Sequence, residues 1–312
     1  LSEALARIEG TEGPVVVLAS GDPGFFGIVR LLGGRLGREN LRILPGLSSV
    51  ALAFARAGLS WDDAVTVSAH GRDPSRAVNV CRAYPKVAVL TSPDFGPAEL
   101  AEAFDGLDRT FIIAEKLGET SERVFHGEAG TVAGMEWEDP NVVLVLDERR
   151  MPGARGWISS GIIAQGRWAL SEEEFEHRSG MITKSATRAF VLSRLGPGPG
   201  DLIWDVGAGS GSVAIECARL GAAAIAVERD PQSCARIRRN AEHHGVRLQI
   251  MEAMAPETLR DLPEPDAVFV GGSGGAFEEI VKLCAVRARR AVFGEPRQNR
   301  AGIRELDLCS EN

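Results

Sequence analysis

Cysteine is sparse and scattered. Cys81, Cys217, Cys234, Cys284 and Cys309 stand far apart with no Cys-x-x-Cys pair, which suggests neither a zinc site nor a disulfide framework and fits a reducing cytoplasm. No metal site is expected. Long apolar stretches are missing as well: none approaches the roughly 18 residues needed to span a bilayer, so a membrane partner is not expected. Cations are in the minority, 35 Lys and Arg against 43 Asp and Glu, for a formal charge of −8. An extended nucleic-acid surface needs clustered Lys and Arg to displace counterions, so a nucleic-acid partner is disfavoured, while a local basic pocket is not. No basic segment followed by an apolar one opens the chain. It starts at Leu1 rather than methionine, and an incomplete reading frame is therefore expected.

The 312 residues suit two domains of about 150 residues each. Short β-branched runs alternate with helical patterns at Val15–Ala19, Leu41–Leu44, Val65–Ser68, Val87–Leu90, Thr110–Ala114 and Asn141–Leu146, which reads as α/β. Helices are expected over Phe25–Leu32, stopping at Gly33-Gly34, and over Ser48–Ala57, stopping at Gly58. From Asp147 to Ser171 glycines and Pro152 break any sustained period. A domain is therefore expected over 1–147, a linker over 148–171 and a second domain over 172–312. The second α/β series has strands at Leu202–Val206, Ala222–Val227, Arg247–Met251 and Asp266–Val270. Asp230-Pro231 predicts an N-cap with proline in the first helical position, opening a helix that Gly245 closes.

The sharpest motif is Trp204-Asp-Val-Gly-Ala-Gly-Ser-Gly-Ser-Val-Ala-Ile-Glu216, an apolar strand running through Gly207, Gly209 and Gly211 into a helix. Glycines allow a tight turn and close approach of a ligand, the helix start supplies unpaired N–H groups, and an acid after the next strand grips ribose hydroxyls. Glu228 stands in that place. Ser212 occupies the position where a dinucleotide fold carries glycine or alanine, so nothing here suits a pyrophosphate. The plain alternative is a glycine-rich turn that binds nothing.

The Gly-x-Gly-x-Gly form preceded by Asp205 resembles class I S-adenosylmethionine methyltransferases. That resemblance implies S-adenosylmethionine as cofactor, with Asp205, Gly207, Gly209, Gly211 and Glu228 around its aminoacyl and ribose parts, and Ala253 and Met254 beside its adenine. With Phe175-Glu-His-Arg-Ser-Gly-Met-Ile-Thr-Lys-Ser-Ala-Thr-Arg188 upstream, the stretch Phe175 to Gly275 is similar to the decarboxylating precorrin methyltransferases. Thr183 can cap a helix on which Lys184 and Arg188, four apart, share a face able to bind a tetrapyrrole's carboxylates; an ordinary solvated basic face is the plainer alternative. His177 has the chemistry of a catalytic acid or base, but a lone histidine is more often structural, and no catalytic role is assigned to it.

In the first half, Val15-Val-Val-Leu-Ala-Ser-Gly-Asp-Pro-Gly-Phe-Phe-Gly27, Leu44-Pro-Gly-Leu-Ser-Ser-Val50, Ala53–Ala64, Ser68-Ala-His-Gly-Arg72 and Glu115-Lys-Leu-Gly118 together resemble the class III tetrapyrrole methylases, most of all those acting on carbon 5. The resemblance implies cofactor positions at Gly21, Asp22, Pro23, Ser48, Ser49 and Thr91, and substrate positions at His70 and Arg72. That family begins with further strands and a glycine-rich loop ahead of the point where Leu1 lies. At the other end, Cys284–Glu295 lacks the late strands of its family.

Taken together, the resemblance implies a fold of two α/β domains, class III then class I. It implies methylation of a tetrapyrrole at carbons 5 and 15 with decarboxylation of the ring C acetate in corrinoid biosynthesis, in a homo-oligomer. Because the substrate bears several carboxylates, an electropositive pocket is expected near Arg72, Arg76, Lys116, Lys184 and Arg188. Two other functions compete: a class I methyltransferase acting on RNA or protein, which the glycine motif alone permits, and a non-catalytic cofactor- or tetrapyrrole-binding protein.

Overall fold

A computed structural model describes residues 2–71, 73–150, 167–178, 180–297 and 300–307. Arg72 and most of the expected linker, residues 151–166, lie outside the described residues. The first half runs α1 (Ser2–Glu9), α2 (Val29–Leu36), α3 (Ser49–Ala57), β1 (Val65–Ser68), α4 (Pro74–Ala83), β2 (Lys86–Leu90), α5 (Pro97–Glu102), β3 (Thr110–Glu115), β4 (Arg123–Glu128), α6 (Ala129–Ala133) and β5 (Asn141–Leu146). The second runs α7 (Ser185–Leu195), β6 (Leu202–Val206), α8 (Ser212–Arg219), β7 (Ala223–Glu228), α9 (Pro231–His243), β8 (Gln249–Glu252), β9 (Ala267–Val270), α10 (Phe277–Arg287), β10 (Arg290–Arg297) and β11 (Arg300–Asp307). The chain is thus α/β with two sheets.

The first sheet has the order β1-β2-β5-β3-β4. β1 and β2 are parallel, and the remaining pairs are antiparallel. Its central strands are apolar without alternation because both faces are covered. Val143 and Val145 of β5 pack with α4, α5 and α6, whereas Val142, Leu144 and Leu146 pack with Val50, Ala53 and Phe54 of α3. β4, at the edge, mixes Arg123, His126, Gly127 and Glu128 into its strand, and no apolar period announced it. Edge strands face water and tolerate such residues.

The second sheet has the order β11-β10-β9-β6-β7-β8, parallel except for β11. Leu202, Trp204 and Val206 point to the α10 side, while Ile203 faces the side covered by α7 and α8. Parallel pairing brings the ends of β6, β7, β8 and β9 to one edge, where ligands gather in this architecture.

Four expectations are corrected. Val15–Ala19 and Leu41–Leu44 are not strands: Val16 and Leu18 are 83% and 91% exposed, and among the described residues no strand pairs with either run. An apolar run becomes a strand when a neighbour takes up its N–H and C=O groups. α2 passes through Gly33 and Gly34 instead of stopping there, since an internal glycine weakens a helix by only about 1 kcal/mol; its start at Val29 follows from the turns that occupy residues 22–28. The late strands expected to be missing are present as β10 and β11. Only Ala291, Val292 and Phe293 of β10 form an apolar buried run, too short to be read between arginines.

The halves meet along α4. Arg76 pairs with Asp201 at 2.6 Å and with Asp266 at 3.4 Å, and Asn79 Nδ2 donates to the Gly200 carbonyl. Nearby, Asp147 is 1% exposed and receives Arg109 at 3.1 Å, Arg150 at 2.9 Å and, from the second half, Arg247 at 3.0 Å. Burial by itself would raise this carboxyl, but the arginines outweigh it and hold it below the usual carboxylate range. Removing its charge strands three guanidinium groups. Asp147→Asn is expected to lower unfolding free energy by roughly 3 kcal/mol, read as the urea midpoint; an unchanged midpoint would show the cluster to be dispensable.

Candidate functional site

In the second half the glycine loop is assembled from three strand ends. β6 delivers Gly207, whose N–H donates to the Val227 carbonyl of β7 at 2.9 Å. Gly207 has φ +70°, and a Cβ there would lie 2.3 Å from the Gly272 carbonyl oxygen, in the loop that follows β9. Gly211 has φ +75°, and its Cβ would meet Ile237 of α9 at 2.8 Å. Backbone shape and close packing both demand glycine at these two positions. Gly209 differs: a Cβ would meet nothing within 4 Å, so this part of the loop faces open space.

Glu228 closes the arrangement. One oxygen of its carboxylate accepts the Gly209 N–H at 2.9 Å and the other accepts the Asp230 N–H at 2.9 Å. The Ala253 N–H donates to the Glu228 carbonyl at 3.1 Å, and Met254, 55% exposed, follows it. Gly207, Gly209, Gly211, Glu228, Ala253 and Met254 therefore lie together along one edge. Asp230 caps α9 through the Ser233 N–H at 3.1 Å, as the Asp-Pro pair predicts.

Asp205 has a different part from the one expected. It is 1% exposed and its carboxylate accepts the Ala214 N–H of α8 at 3.0 Å, so it braces the helix beneath the loop instead of facing a ligand. Burial is the main reason its carboxyl is pushed up to about 7; the Ala214 bond opposes this and the neighbouring Glu228 adds to it.

Arg188 is the plainest correction. It is 0% exposed and bonds Glu216, also 0% exposed, at 2.9 Å. Its remaining donors go to the carbonyls of Thr183 and Leu170. A four-residue spacing places two residues on one helix face, but α7 begins at Ser185 with Lys184 as its N-cap and without a side-chain cap from Thr183, so Arg188 turns inward while Lys184 stays exposed. Arg76 is spent on the junction of the halves, and Lys116 pairs with Glu138. Cations that sequence reasoning missed stand nearer the loop: Arg178 is exposed and its charge helps keep Asp230 low, after the larger effect of Ser233, and a Cβ on Gly274 would lie 3.5 Å from Arg229 Nη1. Arg229 directly follows the strand-ending acid, a position that could have flagged it.

In the first half, Asp22 accepts the N–H groups of Gly24 at 2.7 Å and Gly46 at 3.2 Å. This brings Gly21-Asp22-Pro23 against Pro45-Gly46 and the start of α3, where Ser48 accepts the Ala51 N–H as N-cap and Ser49 opens the helix. Thr91 donates to the Asn141 side chain at 2.7 Å. His70 is exposed just past β1, and the Ala69 N–H donates to the Leu90 carbonyl, so His70 and Thr91 share one strand-end edge.

Two outcomes follow. Gly207→Ala is expected to destabilise the protein by about 2 kcal/mol or more through backbone collision, and Gly209→Ala by only about 1 kcal/mol, the left-handed strain alone; equal urea midpoints would contradict this. For Asp205 the raised native value means that the native state holds more protons than the unfolded chain between about pH 4 and pH 7, so its contribution to stability falls as pH rises through that window. The melting temperature of Asp205→Asn relative to the parent is therefore expected to rise between about pH 5 and about pH 8.

A family model described as tetrapyrrole (corrin/porphyrin) methylases matches residues 2–133, and one described as a precorrin methyltransferase domain matches residues 173–292. The chain is 38% identical over 298 residues to the precorrin-6Y C(5,15)-methyltransferase (decarboxylating) of a Sinorhizobium species, covering 93% of this chain and 70% of that protein. It is 35% identical over 262 residues to the protein of that name from Mycobacterium tuberculosis, covering 82% of this chain and 63% of the relative. A probable cobalt-precorrin-6B C(15)-methyltransferase (decarboxylating) of Pyrobaculum calidifontis is 36% identical over 130 residues, 40% of this chain and 67% of that protein. The chain thus spans between about three fifths and seven tenths of the length of the Sinorhizobium and Mycobacterium relatives. Two strand-end edges in one polypeptide, one matching the tetrapyrrole methylases and one matching a precorrin methyltransferase domain, place the chain in the family of decarboxylating precorrin-6Y C(5,15)-methyltransferases of cobalamin biosynthesis.

Proposed function

We propose that the chain presents two S-adenosylmethionine sites to one tetrapyrrole, precorrin-6Y: the first half methylates carbon 5, and the second methylates carbon 15 and releases the ring C acetate carboxyl as carbon dioxide. The division is supported by the Pyrobaculum relative, named for a carbon-15 reaction alone, which matches 40% of this chain, and by the tetrapyrrole methylase match over residues 2–133. The observation that carries the second site is the loop Gly207–Gly211, open at Gly209 and hydrogen-bonded there to Glu228.

Bound S-adenosylmethionine supplies a methyl carbon on a sulfonium, electrophilic without activation by the protein. The chain's own residues bind, orient and exclude water. Glu228 retains lone pairs beyond its bonds to Gly209 and Asp230 and can accept ribose hydroxyls. Ala253 and Met254 offer an apolar bed for an adenine. Holding the reacting carbon about 3 Å from the donor in a dry site provides most of what the transfer needs. For decarboxylation, the electron pair of the breaking C–C bond passes into the conjugated macrocycle and the product carbon then takes a proton. Lys184, Arg178 and Arg229 are the exposed cations that would meet substrate carboxylates on a protein of charge −8. In the first half, Gly21, Asp22, Pro23, Ser48, Ser49 and Thr91 would border the cofactor, and His70 the substrate.

Incubation with precorrin-6Y and S-adenosylmethionine is expected to yield, by mass spectrometry, a product with two added methyl groups and one carbon dioxide lost. A single methyl with carbon dioxide retained would refute the second site. Transfer of label to RNA, with none to the tetrapyrrole, would favour the RNA-directed alternative.

A further inference from the structure

The described residues 170–178 and 180–183 form a strap across α8 and α9, held by two buried brackets. Glu216 accepts the N–H groups of Ala169 and Leu170 and the Arg188 Nε, while Arg188 donates to the carbonyls of Leu170 and Thr183. One guanidinium thereby grips both ends of the strap. Between them Phe175, 4% exposed, sits under Arg188 with the guanidinium 4.8 Å from its ring, and 4.7 Å from the His244 ring.

Asn240 is the second bracket, 2% exposed. Its Oδ1 accepts the Glu176 N–H at 2.8 Å, and its Nδ2 donates to the Glu176 carbonyl at 2.9 Å and to the Ser210 carbonyl at 2.9 Å. Ser210 belongs to the glycine loop and Glu176 to the strap, so one amide joins the two. Among natural side chains of this size only asparagine offers an acceptor and two donors in that fork. Beyond Glu176 the strap turns tightly, with the Met181 N–H on the Arg178 carbonyl. The turn exposes Met181 and sets the Arg178 charge toward Asp230, beside Glu228.

We propose that Asn240 is a positioning residue that couples the glycine loop to the strap, so that filling the loop orders the strap tip over the carbon-15 site. This rests on the reading above, in which the loop takes S-adenosylmethionine. The amide gives both donors to carbonyls on the two sides, Glu176 of the strap and Ser210 of the loop, so a shift of either segment is felt by the other.

The full chain tests it with S-adenosylhomocysteine as probe. In the parent protein, hydrogen exchange in the peptide ending at Arg178 is expected to slow by about 10-fold on binding. Asn240→Asp keeps the shape and the acceptor but sets a carboxylate oxygen against two carbonyls. In this variant the probe is expected still to bind while the slowing disappears, and kcat for the second methyl transfer is expected to drop roughly 10- to 100-fold with the first transfer unchanged. Parent-like exchange and kcat in the variant would overturn the inference, as would a loss of kcat matched by equal losses in both transfers and in melting temperature. Should the variant not fold, an unprotected strap in the liganded parent overturns it too. If the parent itself binds no S-adenosylhomocysteine, the proposed function fails first and the inference with it.

Discussion

A buried carboxylate satisfied by arginine is the interaction on which the arrangement of this protein depends, and two such clusters join segments far apart in the chain. Asp147 gathers Arg109, Arg150 and Arg247 where the two halves meet. Glu216 gathers Arg188 where the strap meets α8. In each case the charge lies out of water, where an ion is tolerated only when its partners are held in place. Such a pair adds little net stability over an apolar substitute, yet breaking one side of it is costly. It therefore serves position more than stability: each cluster fixes segments distant in sequence, 147 to 247 and 170 to 216.

That positioning determines what each edge can bind. The loop of the second half is shaped by steric exclusion, since Gly207 lies against Gly272 and Gly211 against Ile237, leaving the face at Gly209 open and Glu228 beside it. Asp205 braces the helix that follows the loop by accepting the Ala214 N–H. In the first half Asp22 does comparable work with lighter means, two N–H groups from Gly24 and Gly46 on one exposed carboxylate. The second site is thus backed by buried polar bonds, while the first relies on surface ones.

For a polyanionic substrate the acidic chain needs local cations, and the geometry divides the candidates. Arg76, Lys116 and Arg188 are committed to Asp201, Glu138 and Glu216. Lys184, Arg178 and Arg229 remain toward the solvent side. A spacing of four identifies a shared helix face, but which way that face points is decided by the buried partner waiting on one side.

The motif loop, its acid, the Asp230-Pro231 cap and the strands covered on both faces were legible in the sequence, because their causes are local: glycine at positive φ, a carboxylate over free N–H groups, continuous apolar runs. What needed tertiary structure were the edge strand β4, the late strands β10 and β11, the unpaired runs Val15–Ala19 and Leu41–Leu44, and the inward turn of Arg188. A strand exists through a neighbour that takes its hydrogen bonds, and a charge is buried through a partner elsewhere in the chain. Neither condition is written in the segment itself, so the sequence settled the local chemistry of the site, and the fold alone decided which residues face it and which hold it up.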